Sequence, residues 1–290
     1  MASRAMLAAT GLPTVEHCLK PGVAPMEAED EHWTERTELR AELTYATARG
    51  MAGQRAVASG LLVDIRAQAD VRGFSRLEAR ALLHTGRLQH SQGGTAAEQS
   101  LTTAYQLAVG NGHEDIAADA ATDLVVVVGH MHGRYAEGLR WGELANAATE
   151  RSTSLQSPSL LWLSNVGTVL LDAGRVGEAS ERLFAAAEAC KAALGAARAT
   201  DQTAVCAAVT STLGRVRQVQ RRFDDARALL NRARRTHQRL FGPKHPTVAD
   251  DLADLRHLEW DAATDAAAHG EPEAARALYR RARALRTTRS

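Results

Sequence analysis

Residues 165–187 read NVGTVLLDAGRVGEASERLFAAA. An apolar helix-forming run reaches Gly174, and Val176 opens a second run in which Ala179 is followed by Leu183 and Ala186. Glycine ends a helix in the left-handed region without Cβ strain. The small Ala179 lets the second helix lie close to the first, and Leu183 fills the groove beside it. The stretch predicts two antiparallel helices joined by a short turn.

The same pattern recurs on both sides. LLHTGRLQHSQGGTAAEQSLTTAY (82–105), VVVVGHMHGRYAEGLRWGELA (125–145), TSTLGRVRQVQRRFDDARALLNRA (210–233) and AATDAAAHGEPEAARALYRRA (262–282) each carry a turn, a small residue such as Ala226 and a large one such as Leu230 or Tyr279. Turn landmarks at Gly93, Gly133, Gly174, Arg221 and Gly270, with a weaker copy at Gly50, predict six successive hairpins. Between the breaks lie runs rich in Ala, Leu, Arg and Glu, all good helix formers. LVVVV (124–128) has strand propensity, but its alanine-rich flanks make it a buried helix segment. The expected class is all-α. Hairpins that cannot bury their apolar faces alone must stack into a solenoid. Residues 1–30 read as a linker-like segment and 31–290 as the repeat domain.

These residues carry a resemblance. The copy with Gly167, Leu170, Gly174, Ala179, Leu183 and Ala186, and the next with Leu213, Gly214, Phe223, Ala226, Leu230 and Ala233, resemble tetratricopeptide (TPR) repeats. The spacing exceeds the usual ~34 residues and is similar to the kinesin-light-chain type, whose LG-x-x-HP linker is matched by Gly242, His245 and Pro246 in LFGPKHPTVADDL. LGAARATDQTAV (194–205) resembles a decayed linker that lost its His-Pro. The third copy has Gly138 where the family has alanine, and the sixth has Ala263 for the motif glycine and Pro272 for the aromatic. The resemblance implies a right-handed superhelix of about six hairpins that binds a peptide or protein partner in its concave groove. Asn165 matches the family's peptide-contacting asparagine. In the same register Arg80, His84, Arg87, Asp123, His130, Asp172, Ser211, Arg215 and Gln218 are expected to line the groove. GLPTVEHCLKPGVAP and the hairpins after it also resemble the C-terminal region of bacterial eukaryotic-like Ser/Thr kinases with TPR tails. This sequence has no Gly-rich loop, VAIK-type lysine, HRD or DFG.

Composition narrows the function classes. The formal net charge of +1 gives no global reason for a nucleic-acid or membrane partner. From Arg215 to Ser290, seventeen Arg/Lys face ten Asp/Glu, and lysine occurs only at 20, 191 and 244. This arginine bias reads as GC-rich codon usage and a bacterial source. No run of ~20 apolar residues is long enough to span a bilayer, and MASRAMLAATGLP lacks a signal-peptide h-region. Cys18, Cys190 and Cys206 have no CxxC spacing and are expected to be reduced, in a cytoplasmic protein.

Each chemical candidate has a plainer structural reading. His130 and His132 stand at i, i+2, on different helix faces, where helical metal sites use i, i+4. GNGHED (110–115) reads as a turn between repeats. Asp224-Asp225 and Asp250-Asp251 read as acids complementing helix N-termini. Arg276, Arg280, Arg281, Arg283, Arg286 and Arg289 read as a solvated face of the last helix. His245 reads as a linker residue packed between repeats. No catalytic, metal or cofactor site is expected. The function expected is a non-enzymatic scaffold in bacterial signalling, its partner a protein or peptide of a kinase pathway. Two other readings stand beside it: the tail of a Ser/Thr kinase whose catalytic domain lies upstream, and the sensor arm of a TPR-bearing transcriptional regulator or signalling ATPase.

Overall fold

The computed structural model describes residues 32–90, 95–152, 159–195 and 200–285. The expected segment 1–30, the turn at Gly93, the decayed linker around 196–199 and Arg286 and Arg289 lie outside the described residues. All regular structure among the described residues is helical. The first unit, up to residue 158, holds α1 (Trp33–Met51), α2 (Arg55–Val71), α3 (Ser75–His90), α4 (Thr95–Gly110), α5 (Glu114–Leu124), a π-helical segment (Val125–Met131) and α6 (Tyr135–Arg151). The second, from Ser159, holds α7 (Leu160–Asp172), α8 (Val176–Gly195), α9 (Thr200–Val219), α10 (Phe223–Phe241), α11 (Pro246–Ala268) and α12 (Pro272–Ala284). Each odd-numbered helix pairs with the even-numbered helix after it, which makes six hairpins among the described residues. No described helix is long and apolar enough to cross a membrane.

The described hairpin turns follow one rule. Gly53, Gly133, Gly174 and Gly270 sit at φ between +68° and +83°, and Arg221 takes the same role at φ +61°. The first turn therefore falls at Gly53, three residues beyond Gly50, which is still in α1. Arg221 is the one described non-glycine residue at positive φ, where an L side chain meets the following carbonyl.

Within a hairpin the packing repeats. A Cβ on Gly86 would stand 2.5 Å from Leu101 Cγ, one on Gly167 2.7 Å from Leu183 Cγ, and one on Gly214 2.8 Å from Leu230 Cγ. The three leucines are fully buried. The first helix thus offers a hole and the second a knob. In the third hairpin both partners are glycine: a Cβ on Gly138 would lie 2.5 Å from the Gly129 Cα, so the two backbones touch. Gly129 belongs to the π-helical segment, whose wide turns are closed by His132 N–H donating to Val127 O (3.2 Å). Val125, Val127 and Val128 are buried there, so LVVVV is core helix and not strand.

Two expectations are corrected. Cys190 and Cys206 are not free thiols: their Cα atoms are 5.7 Å apart and their sulfurs are bonded. The antiparallel run of α8 and α9 brings residues 16 apart in sequence side by side, a proximity that CxxC spacing does not reveal. Asp251 is not a dipole-complementing acid in the first turn. It is buried, and its Oδ2 lies 2.8 Å from His237 Nδ1 across α10 and α11. Asp224 and Asp225 do sit in the first turn of α10, paired with Arg227 and Arg222 respectively. The α10–α11 seam carries a second cross-pair, Arg227 Nε donating to the buried Glu259 Oε1 at 2.6 Å.

The linker between these helices is resolved in detail. Gly242 (φ +88°) ends α10 and Pro246 opens α11. His245 is the N-cap: its Nδ1 accepts from Thr247 N–H at 3.3 Å, and its ring stacks on Phe241 at 4.6 Å. The histidine is a cap, a structural use of its lone pair at an orphan N–H.

Candidate functional site

The residues expected to face a groove lie on first helices, and the structure joins many of them across hairpins. In the second unit, Arg215 of α9 donates to Asp172 Oδ1 of α7 at 2.6 Å. Gln218 of α9 donates to Asp261 Oδ2 of α11 at 2.6 Å, and Ser211 to Asp254 Oδ2 at 3.4 Å. All three pairs are 43 residues apart, one repeat. Asn165 is buried in α7 with a partner of its own. Burial pushes the Asp254 carboxyl up from its ordinary value, against the opposing pull of Arg215.

In the first unit Arg87 of α3 binds Asp123 (2.5 Å) and Asp119 (3.4 Å) of α5. Arg80 reaches Asp115 at 3.3 Å, and Arg76 reaches the same oxygen at 2.5 Å. Burial tends to raise the Asp115 carboxyl, but the two guanidinium groups outweigh it and hold it below the usual range. His84 lies between Arg80 and Arg87 on α3. Burial first, then those two cations, push its imidazole down to about 4, so it is neutral at pH 7. His130 is exposed on the π-helical segment. His132 turns away to the previous hairpin, with its Nδ1 3.0 Å from Glu98 Oε2 of α4. Among the described residues no group of three or more His, Cys, Asp or Glu is placed to hold a metal ion.

Several members of this surface escaped sequence reasoning. Asp254 and Asp261 are the partners of expected residues, one repeat further on. Arg36 and Arg40 of α1 join Arg76 and Arg80 of α3 around a cleft of about 340 Å³. Its floor includes Phe74, with the Arg36 guanidinium 5.0 Å above the ring. His113, from the turn before α5, closes one side and bonds Ser75 Oγ at 3.0 Å. Arginines at i and i+4 on two consecutive first helices were the available signal. The weak first copy hid it, because its register could not be fixed from the motif.

The arrangement holds charged and amide groups at fixed positions through bonds between consecutive first helices. That suits recognition. Residues 205–288 match the family model described as Tetratricopeptide repeat. Solved structures similar to the chain include the apo form of the quorum sensor NprR from B. thuringiensis, 14% identical over 85% of this chain and 77% of that chain, with a TM-score of 0.51. BtubC (BKLC) from P. vanneervenii is 17% identical, with 89% and 91% covered and a TM-score of 0.48. A putative kinesin light chain from Podosopora anserina, with nearly identical TPR-like repeats, is 18% identical, with 87% and 98% covered and a TM-score of 0.34. No curated protein matches the chain. The likeness to NprR is one of fold.

Proposed function

We propose that the chain is a non-catalytic scaffold that takes a peptide or protein partner on the first-helix faces of its hairpins, in bacterial signalling. The observation that carries this reading is the set of bonds between consecutive first helices, such as Arg215–Asp172 and Gln218–Asp261. They fix long polar side chains before any partner arrives, so less side-chain entropy is lost on binding. The family match at 205–288 supports the same reading, since stacked helical repeats present extended binding surfaces. The quorum sensor NprR supports it at the level of fold alone, and fold does not transfer a ligand. The expected partner class, a kinase-pathway component, rests on the resemblance to kinase tails. The expected cytoplasmic setting has to accommodate the Cys190–Cys206 bond, which reducing compartments rarely retain.

The test is affinity capture with the full chain and with Asn165→Ala and Arg215→Ala. Retained proteins lost from both variants, each still unfolding in a single cooperative transition, are expected. Capture indifferent to both substitutions contradicts the proposed surface.

A further inference from the structure

We propose that Cys206 is a thiolation site for an anionic low-molecular-weight thiol, which docks in the cleft between α9 and α10 and opens the Cys190–Cys206 bond. This goes beyond the scaffold reading, and the cleft shares no residue with the proposed partner surface.

The cleft encloses about 820 Å³, within the size range of small-molecule sites. Of the two bonded cysteines, Cys206 borders it and keeps 8% of its surface exposed. The opposite wall is cationic. Arg232, Arg235 and Arg239 stand at i, i+3 and i+7 on α10, one face of that helix. None of the three has an ion pair among the described residues, and no described Asp or Glu borders the cleft. Arg239 Nη2 meets a hydroxyl, Thr236 Oγ1, at 3.5 Å.

The excess positive charge concentrates anions in the cleft. Guanidinium forks hold a carboxylate or phosphate through charge-assisted hydrogen bonds, and the same cations favour the thiolate, the form that attacks a disulfide. The step balances. The thiolate lone pair forms a new S–S bond to Cys206 Sγ as the Cys190–Cys206 bond breaks, and Cys190 leaves as a thiolate that takes a proton from water. The incoming sulfur is oxidised and Cys190 is reduced, so no other oxidant is needed. A second thiol that attacks the mixed disulfide at the incoming sulfur releases Cys206 and leaves a small-molecule disulfide.

The consequence is mechanical. α8 and α9 belong to successive hairpins, and the bond ties them together across 16 residues of sequence. A disulfide that a small thiol reaches is one that a reducing compartment keeps transient, which reconciles the bond with the expected cytoplasmic setting.

Free thiols on the full chain are first blocked with iodoacetamide, so that the bonded pair alone reports. Three thiols are then compared: 3-mercaptopropionate (carboxylate), coenzyme A (phosphate) and cysteamine (ammonium). Early rates of mixed-disulfide formation are read by peptide mass spectrometry after acid quenching. Each rate is divided by that thiol's rate on bis(2-hydroxyethyl) disulfide at the same pH, which cancels intrinsic nucleophilicity. At least one anionic thiol should exceed cysteamine by about tenfold or more, with the adduct on Cys206, and the faster of the two identifies the anion seated. Raising the salt to ~1 M should collapse the ratio, a comparison that needs no variant. Arg232→Ala, Arg235→Ala and Arg239→Ala together should collapse it too, in a chain that still unfolds cooperatively. No anionic preference, a preference indifferent to salt or to the three substitutions, or an adduct confined to Cys190 overturns the proposal. Any of these leaves Asn165- and Arg215-dependent capture standing, so the scaffold reading is judged separately.

Discussion

Leu230 of α10 lies so close over Gly214 of α9 that a Cβ on the glycine would stand 2.8 Å from the leucine Cγ. The contact recurs with Leu101 over Gly86 and Leu183 over Gly167, and it sets how near two helices of a hairpin approach. Gly214→Ala should therefore destabilise the protein. Overpacking costs about 1–3 kcal/mol, which the alanine's helix preference of about 1 kcal/mol offsets only in part. Gly60 is also helical, but nothing lies within 4 Å of its would-be Cβ. Gly60→Ala should raise stability by about 0.5–1 kcal/mol. Urea unfolding of both variants checks the pair, and the same sign for both would contradict the packing account.

Arg221 provides a backbone test. It stands at φ +61° where its counterparts are glycine, and it pairs with Asp265 of α11. Arg221→Ala and Arg221→Gly both remove that pair, but only glycine relaxes the left-handed turn. The glycine variant should be more stable than the alanine variant by about 1 kcal/mol, read from the difference in denaturant midpoints.

The Cys190–Cys206 bond closes a segment of 16 residues between α8 and α9. Its reduction should cost the second unit about 3 kcal/mol on the loop-entropy account. Thiol counting under denaturing conditions should find two more thiols after reduction than before it, from Cys190 and Cys206. Three free thiols in the unreduced protein would contradict the bond.

His84 makes stability depend on pH in a definite direction. Its folded value of about 4 lies below the ordinary 6.5. Between those values the unfolded chain binds a proton that the folded chain refuses, so stability falls as pH drops from about 6.5 towards 4. The loss from this group is about 1–3 kcal/mol. His84→Gln should flatten that part of the pH profile, and an unchanged slope would remove His84 as its cause.

The hairpins were legible because each uses the same local chemistry: a turn residue able to take positive φ, a small residue at close approach and a leucine beyond it. Where one element of that grammar changed, reading faltered. Gly138 looked like a defect in the third copy, yet it meets Gly129 backbone to backbone. Gly50 drew attention from Gly53, because both are glycines near a helix end. Asp251 looked like a helix-start acid because its partner His237 is on another helix, and the disulfide was hidden for the same reason. The surface was half legible. Register alone placed Arg80, Arg87, Asp172 and Arg215 on first helices. Their acidic partners, and the cleft shared by Arg36 and Arg40, depend on how one hairpin stacks on the next, which periodicity does not encode.

The central claim is that first-helix faces bind the partner. Hydrogen–deuterium exchange on the full chain, with and without a captured partner, tests it most directly. The account predicts added protection in peptides covering α3 and α9, with α4 and α10 unchanged. Protection confined to the outer arginines of α10 and α12, or none on any first helix, would contradict it.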